Sequence, residues 1–214
     1  MKTIGIWTDG ACSKRLGGWA YVIKLGEHRK ECSGSEPDTT NNRMEMTAAL
    51  KALEALTKSC NVILSTDSEY ICNAFNMNWL SKWQNNDWET RDGSPVKNQD
   101  LWESLMEQNE RHTVAWTWVK GHSDNVENNR CDELAVNARL ELKAGQDTLK
   151  DKLHKAAGAL KQARTRAHAA FKLIEEIKDS DEIIDFDLFT SSKKDLAKLI
   201  KQTESRLVEE LEKK

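Results

Sequence analysis

Four acidic residues of the sequence stand where side chains from different elements can meet. Asp9 and Asp67 each end a strand-like stretch, Glu45 lies in the first turn of a helical pattern, and Asp132 lies inside another. In α/β folds, ligand sites form at the carboxyl ends of strands, and Mg²⁺ binds carboxylate oxygens. The four acids therefore predict a site for a pair of divalent ions, which promotes phosphodiester hydrolysis. Taken singly, an Asp after a strand is more often a turn former, and Glu45 can simply favour a helix N-terminus.

Predicted strands and helices, which must position these acids, alternate along the first 140 residues. Short apolar or alternating runs predict strands at 4–8, 19–25, 29–33, 62–64 and 114–119. Helical periodicity predicts helices at 41–58, 68–75, 98–110 and 125–140. This order favours an α/β fold in which a mixed sheet carries helices on its faces.

Composition limits the class of protein. The chain has 214 residues, 38% of them hydrophobic, and no apolar run reaches the roughly 18 residues that span a membrane. The N-terminus lacks the features of a signal peptide, so we expect a cytoplasmic protein with no membrane partner. Five cysteines without close spacing favour reduced thiols over a disulfide framework or a zinc site. The net charge is −3, whereas nucleic-acid-binding proteins typically carry an excess of basic residues.

A composition shift predicts two domains. All eight Trp lie between Trp7 and Trp118, and Gly becomes rare near Gly145. Residues 1–140 carry 16 Lys and Arg against 20 Asp and Glu, whereas residues 141–214 carry 16 against 15. We therefore expect a catalytic domain over 1–142 and an extension of unknown role over 147–214.

Five motifs follow one another across residues 8–135. They are Thr-Asp-Gly-Ala-Cys (8–12), Thr-Thr-Asn-Asn-Arg-Met-Glu-Met (39–46), Thr-Asp-Ser-Glu-Tyr (66–70), Trp-Val-Lys-Gly-His (118–122) and Glu-Asn-Asn-Arg-Cys-Asp-Glu-Leu-Ala (127–135). In this order and spacing they resemble bacterial ribonuclease HI. The resemblance implies a five-stranded mixed sheet with flanking helices. It also implies cleavage of the RNA strand of RNA–DNA hybrids by two Mg²⁺ ions, or Mn²⁺ as a substitute, to give 5′-phosphate and 3′-hydroxyl products.

The resemblance also implies roles for single residues. Asp9, Glu45, Asp67 and Asp132 match the metal ligands of the family, and His122 matches its mobile histidine, which helps proton transfer or product departure. Asn41 and Asn42 resemble the pair that reads the minor groove and the RNA 2′-hydroxyls, although an Asn pair there can also cap the helix. Thr40 resembles a residue that grips a phosphate of the DNA strand. The full set of implied substrate contacts is Gly10, Cys12, Thr40, Asn41, Asn42, Glu69, Trp79 and Lys97.

Three departures from the family pattern concern substrate binding. Glu69 stands where Gln is frequent, and a carboxylate donates no hydrogen bond unless it is protonated. The loop at 10–18 is short, so its usual phosphate contact is either lost or taken over by Lys14 or Arg15. The basic handle of the family keeps Trp79, Trp83 and Trp88, which can equally be ordinary packing residues. Its cations Lys82, Arg91 and Lys97 are opposed by Asp87, Glu89, Asp92 and Asp100, which predicts a weaker grip on the DNA strand.

The extension shows a heptad pattern, and its residues 150–172 carry seven cations and one acid. Apolar residues recur at Leu149, Leu153, Ala156, Leu160, Ala163, Ala167, Ala170, Ile174 and Ile177, and a second helix is predicted from Ser192. This pattern predicts an antiparallel α-helical hairpin or coiled coil. Three alternative roles stay open for the extension. The first is an appendage without a chemical role, and the second is a dimer or protein-partner interface. The third is a nucleic-acid-binding surface formed by Lys155, Lys161, Arg164 and Arg166.

Two other functions compete with the hybrid nuclease. An inactive hybrid-binding scaffold is disfavoured because the four carboxylates and His122 are all present. A related nuclease that acts on another substrate, such as a DNA junction, is disfavoured by the run at 39–45 and by the tryptophans of the handle.

Overall fold

A single five-stranded mixed sheet forms the centre of the first unit of the chain. The computed structural model describes residues 3–177 and, beyond them, residues 194, 197, 198, 201, 202 and 205, which are helical. The strands are β1 (Thr3–Ser13), β2 (Leu16–Leu25), β3 (His28–Pro37), β4 (Asn61–Thr66) and β5 (Thr113–Trp118), and they lie in the order β3-β2-β1-β4-β5. The pairs β1–β2 and β2–β3 are antiparallel, whereas β1–β4 and β4–β5 are parallel. The predicted fold class is therefore confirmed.

Strand β1 is longer than the sequence predicts. It continues beyond residue 8 to Ser13, because β2 pairs with it as far as Ser13 and Leu16. The connecting turn consists of Lys14 and Arg15, whose φ angles of 52° and 63° are both left-handed. Two-residue hairpins favour this geometry, but usually with Asn or Gly at these positions.

The helices are α1 (Asn41–Glu54), α2 (Glu69–Asn76), α3 (Trp79–Gln84), α4 (Gln99–Arg111) and α5 (Val126–Ile177). Thr40 caps α1, since its hydroxyl accepts a hydrogen bond from the Arg43 amide at 3.4 Å. The prediction that α1 reaches residue 58 was wrong, because the helix ends at Glu54. Helix α3 was not predicted, because its Trp-rich sequence is too short to show a helical period.

The main core lies between the sheet and helices α1, α2 and α4. Ile6 and Leu64 of the sheet are fully buried against a face of α1 that includes Met46 and Leu53. Burial of each such aliphatic side chain contributes on the order of 2 kcal/mol to stability. In the same core, aromatic rings pack together in pairs that involve Tyr70, Phe75, Trp79, Trp83, Trp102 and Trp116. Trp83 and Trp88 contact this core, which is the ordinary packing role considered for them.

The first turns of α5 are attached to strands β2 and β3 by ion pairs. Glu127 accepts hydrogen bonds from Lys24 at 2.9 Å and from Arg29 at 2.8 Å. Glu31 of β3 binds Arg130 through two bonds of 2.9 and 3.0 Å, and this contact lowers the pKa of Glu31 to about 2. These pairs fix the start of the helix that carries Asp132.

Helix α5 does not end near residue 140, and the prediction of a helix end there was wrong. The helix runs to Ile177, and Gly145 lies within it with no atom within 4 Å of a Cβ built there. A lone glycine costs a helix only about 1 kcal/mol relative to alanine and does not by itself end it. The chain nevertheless divides into two compact units, Met1–Ala144 and Gly145–Lys214. The assignment of separate roles to two domains stays a prediction.

The described part of the extension only partly follows the predicted seam. Leu149, Leu153, Leu160 and Ala167 are half-buried, but Ala156 and Ala163 are exposed, and Ala157 is half-buried in their place. Three features lie outside the residues or side chains that the structure describes: the connector at 183–189, the predicted start of the second helix at Ser192, and the seam positions Ala170, Ile174 and Ile177. The helical hairpin therefore stays a prediction. Within the described residues, no helix is long and apolar enough to cross a membrane.

Gly18 allows strand β2 to pack closely against helix α5. A Cβ on Gly18 would lie 2.0 Å from the Ala135 carbonyl oxygen, a main-chain atom that cannot rotate away. We expect Gly18→Ala to lower the free energy of unfolding by about 1–3 kcal/mol, as overpacking does. Urea denaturation followed by tryptophan fluorescence measures this change. The matched control is Gly145→Ala, which meets no atom within 4 Å and should not destabilise the protein. Equal effects of the two substitutions would contradict the packing argument.

Candidate active site

The register of the sheet places Asp9 and Asp67 side by side. Parallel pairing of β1 with β4 ends at Thr8 and Thr66, and each acid is the next residue of its chain segment. Asp9 does not end β1, as the sequence suggested, because it still pairs with Ala20 of β2. Its side chain is only 5% exposed, and its Oδ1 accepts a hydrogen bond from the amide of Gly10 at 2.6 Å.

Glu45 reaches the same region from α1. It is the fifth residue of the helix, one residue beyond the first turn in which it was expected. Asn41 donates a hydrogen bond to Glu45 Oε1 at 2.6 Å and accepts one from the amide of Cys12 at 3.1 Å. Asn41 therefore holds the Glu45 side chain and also joins the start of α1 to strand β1.

The loop after β5 brings a glycine and a histidine to the carboxylates. A Cβ on Gly121 would lie 2.5 Å from Asp67 Oδ2, so a glycine permits this close approach. The next residue, His122, has a left-handed φ of 49° and a side chain that is 80% exposed. Its Nδ1 lies 3.5 Å from Oδ2 of Asp132 on α5.

The four carboxylates act on one another electrostatically. The pKa of Asp9 is raised to about 8, mainly by burial and next by the charge of Asp67, and the charges of Asp132 and Glu45 add to the effect. Burial also raises the pKa of Glu45 and of Asp67. Like charges in a partly buried place disfavour ionisation of each other. The structure therefore brings the four predicted acids into one electrostatic cluster.

The donor set of this cluster suits a hard divalent cation. Across residues 3–177 and the described positions beyond them, no three His, Cys, Asp or Glu side chains already surround one point as metal ligands. Asp67 Oδ1 is nevertheless buried and has no hydrogen-bond partner, and unpaired buried oxygens of this kind are costly. A cation that binds carboxylate oxygens, as Mg²⁺ does, would compensate both this atom and the mutual repulsion of the acids.

The remaining implied substrate contacts lie in two places. Thr40, Asn41 and Asn42 are exposed at the start of α1, and Cys12 and Glu69 lie on the neighbouring segments, Cys12 half-buried and Glu69 exposed. Trp79 packs against Tyr70 and Trp83, and Lys97 is exposed just before α4. These two residues belong to the α3–α4 segment and not to the carboxylate cluster.

Sequence reasoning missed two residues that support the site. Trp118 is 47% exposed, and its indole N–H donates a hydrogen bond to the backbone oxygen of Asp67 at 3.1 Å. Arg43 binds both carboxylate oxygens of Asp100 at 3.1 and 2.7 Å, which ties α1 to the start of α4. Trp118 and Arg43 both lie within quoted motifs, but their partners are distant in sequence, so spacing could not identify these contacts.

Comparisons with known proteins agree with this geometry. A family model described as RNase H matches residues 1–140. A curated ribonuclease H of Moorella thermoacetica is 56% identical over 137 residues, which are 63% of this chain and 90% of that protein. A ribonuclease H of Novosphingobium aromaticivorans is 49% identical over 142 residues, which are 65% of this chain and 99% of that protein.

Solved structures give the same result for the fold. The crystal structure of LC9-RNase H1, a type 1 RNase H with the type 2 active-site motif, superposes with a TM-score of 0.58 at 26% identity. That match covers 64% of this chain and 72% of the other. A foamy viral protease-reverse transcriptase in complex with an RNA/DNA hybrid shares the fold, with a TM-score of 0.57 at 20% identity over 64% of this chain and 20% of that one. The chain belongs to the RNase H family.

Proposed function

We propose that this chain hydrolyses the RNA strand of RNA–DNA hybrids and leaves 5′-phosphate and 3′-hydroxyl ends. The single observation that carries the proposal is the cluster of four carboxylates, in which burial and Asp67 raise the pKa of Asp9 to about 8. A cluster of acids that resist ionisation together is expected where cations neutralise them during function. The curated relatives named ribonuclease H support the choice of substrate.

In this proposal Asp9, Glu45, Asp67 and Asp132 hold two Mg²⁺ ions, with Mn²⁺ as a substitute. When bound, the ions supply positive charge that favours attack by water and departure of the leaving oxygen in an in-line displacement. The protein keeps its ligands oriented through Asn41, which bonds Glu45, and through Trp118, which bonds the main chain of Asp67.

His122 is proposed to move a proton at the edge of the cluster. Its ring is exposed and lies 3.5 Å from Asp132, so it has access to both solvent and the site. Imidazole is the side chain that exchanges protons most readily near neutral pH. We infer that this exchange assists product departure.

Substrate discrimination is proposed for the exposed start of α1. Asn41 and Asn42 carry both donors and acceptors, which suits contact with the RNA 2′-hydroxyls that distinguish RNA from DNA. Thr40, Gly10 and Cys12 lie beside them and contact the sugar-phosphate backbone in this proposal. Glu69 contributes through its aliphatic part, and Trp79 and Lys97 contact the DNA strand from the α3–α4 segment.

Cleavage of labelled duplexes tests the proposal. We expect the full chain to cut RNA only in the RNA–DNA hybrid with Mg²⁺ or Mn²⁺, and not RNA–RNA or DNA–DNA duplexes or any duplex with chelator. Asp67→Asn and Glu45→Gln should each lower kcat by at least about 10²-fold, the size typical of lost electrostatic stabilisation at a reacting centre.

Glu107→Gln is the matched control, because Glu107 is an exposed helical glutamate of α4. It should keep the cleavage rate of the unchanged protein. Cleavage of DNA junctions in preference to hybrids would instead support the related nuclease, and tight hybrid binding without cleavage would support the inactive scaffold.

The raised pKa of Asp9 makes the metal-free protein sensitive to pH. Between the ordinary value of 3.8 and about 8, folded Asp9 keeps a proton that the unfolded chain releases. The stability from this group is therefore complete below 3.8 and is lost as the pH rises towards 8. In chelator, we expect Asp9→Asn to raise Tm at the alkaline end of this window by at least about 2 °C and to abolish hybrid cleavage. Added Mg²⁺ should raise the Tm of the unchanged protein only. A lower Tm for Asp9→Asn across the whole window would contradict the electrostatic account.

The turn between β1 and β2 offers a candidate for the phosphate contact of the shortened loop. Arg15 forms an ion pair with Asp38 at 3.1 Å, whereas Lys14 is exposed and forms no ion pair within residues 3–177. Lys14 also has a left-handed backbone, which side-chain-bearing residues adopt at a cost. We propose that Lys14, and not Arg15, contacts a phosphate of the hybrid.

Lys14→Gly tests the strained backbone and the proposed phosphate contact of Lys14 separately, because one affects stability and the other affects binding. Glycine removes a left-handed penalty of roughly 1–2 kcal/mol and loses about 0.5–1 kcal/mol through a more flexible unfolded chain, so we expect a small net gain in stability. The same change should weaken hybrid binding in chelator and reduce the slope of log affinity against log salt by about 1. Lys14→Arg should keep the affinity. Unchanged hybrid binding by Lys14→Gly would refute the contact.

A further inference from the structure

The basic stretch of the extension, defined as residues 150–172, is strongly positively charged. It contains seven Lys or Arg and one acid, Asp151. All seven cations have exposed side chains on α5. The comparisons give this stretch no role, because the family match ends at residue 140.

The charge of the stretch is not that of an ordinary solvated helix face. Such faces usually place acids three or four residues from cations, where the pairs are stabilising. Here Lys150, Lys155 and Lys172 have an acid at that distance, whereas Lys152, Lys161 and Arg166 have none. Lys152 and Lys155 also form a like-charged pair three residues apart. Like-charged neighbours slightly destabilise a helix, and a bound polyanion would offset this repulsion.

The catalytic unit is acidic overall, and part of its positive charge is engaged in ion pairs. Residues 1–140 carry four more acids than bases, 20 against 16. Six of these 16 cations form ion pairs with acids, namely Arg15, Lys24, Arg29, Arg43, Lys51 and Arg130. A nucleic acid duplex carries one negative charge per roughly 1.7 Å of its axis, and its binding depends on cation–phosphate contacts.

We propose that the basic stretch binds the phosphate backbone of the RNA–DNA hybrid. The proposal rests on the function proposed above, which makes the hybrid the substrate. The stretch spans 22 residue steps of helix, which is about 33 Å at about 1.5 Å per residue, close to one turn of a duplex. Because the basic stretch and the catalytic unit belong to one chain, binding at one raises the effective concentration of the hybrid at the other.

Two variants of the full chain test this surface. The neutralised variant is Lys152→Gln, Lys155→Gln, Lys161→Gln and Arg166→Gln, since Gln keeps nearly the helix propensity of Lys and Arg. The charge-preserving control is Lys152→Arg, Lys155→Arg, Lys161→Arg and Arg166→Lys. Circular dichroism checks that both keep the helix content of the unchanged protein.

Hybrid affinity is measured in chelator over a series of salt concentrations, and cleavage is measured separately with Mg²⁺. The neutralised variant should bind more weakly, with a slope of log affinity against log salt reduced by at least about 1 and by as much as about 3.6. Its KM should rise while kcat stays the same, and the control should match the unchanged protein in affinity, salt slope, KM and kcat. An unchanged salt slope in the neutralised variant overturns the proposal.

The two proposals fail in distinguishable ways. If the unchanged protein does not cleave hybrids, the proposed function fails, yet the affinity series still decides whether the stretch binds nucleic acid. A poly-glutamate peptide is tested as a second anionic ligand. Tighter binding of this peptide than of the hybrid, lost in the neutralised variant, would identify an acidic protein surface as the partner and overturn the assignment to nucleic acid.

Discussion

Repulsion among buried carboxylates is the constraint on which the rest of the site depends. Asp9 and Asp67 are adjacent because the parallel pairing of β1 and β4 ends one residue before each of them. Sheet register, unlike a flexible loop, cannot relax to separate them. The fold must therefore tolerate a group whose pKa is raised to about 8 by burial and a neighbouring acid. Such a cluster opposes folding unless a ligand neutralises it, and sites with stored unfavourable energy of this kind are typical of catalysis.

The surrounding contacts keep the four acids in place in spite of this repulsion. Asn41 connects Glu45 to β1, and Arg43 connects the same helix to α4. Glu127 and Arg130 attach the start of α5, which carries Asp132, to strands β2 and β3. These contacts hold β1, α1 and α5, which carry Asp9, Glu45 and Asp132, whereas Asp67 is placed by the pairing of β4 with β1.

The sequence was sufficient for the order of the strands and of the helices other than α3, and for the identity of the clustered acids, because both depend on local periodicity and on short motifs. It was insufficient where the deciding contact is distant. The extension of β1 to Ser13 was missed because Lys14 and Arg15 lack the Asn or Gly that normally indicates such a turn. The continuity of α5 was missed because Gly145 has the composition of a boundary while a helix tolerates it. The bond from Arg43 to Asp100 joins residues too far apart for spacing to reveal.

Two close glycine approaches, at Gly18 and Gly121, differ in the neighbouring atom that a side chain would meet. At Gly18 the neighbouring atom is a main-chain oxygen of α5, so no second substitution at Ala135 can make room for a side chain. At Gly121 the neighbouring atom is Oδ2 of Asp67, which under the proposed function is a metal ligand. Natural selection would therefore retain the first glycine for assembly of the fold and the second for turnover. Lineages that lost the enzymatic role would be free to change position 121 while position 18 stayed fixed.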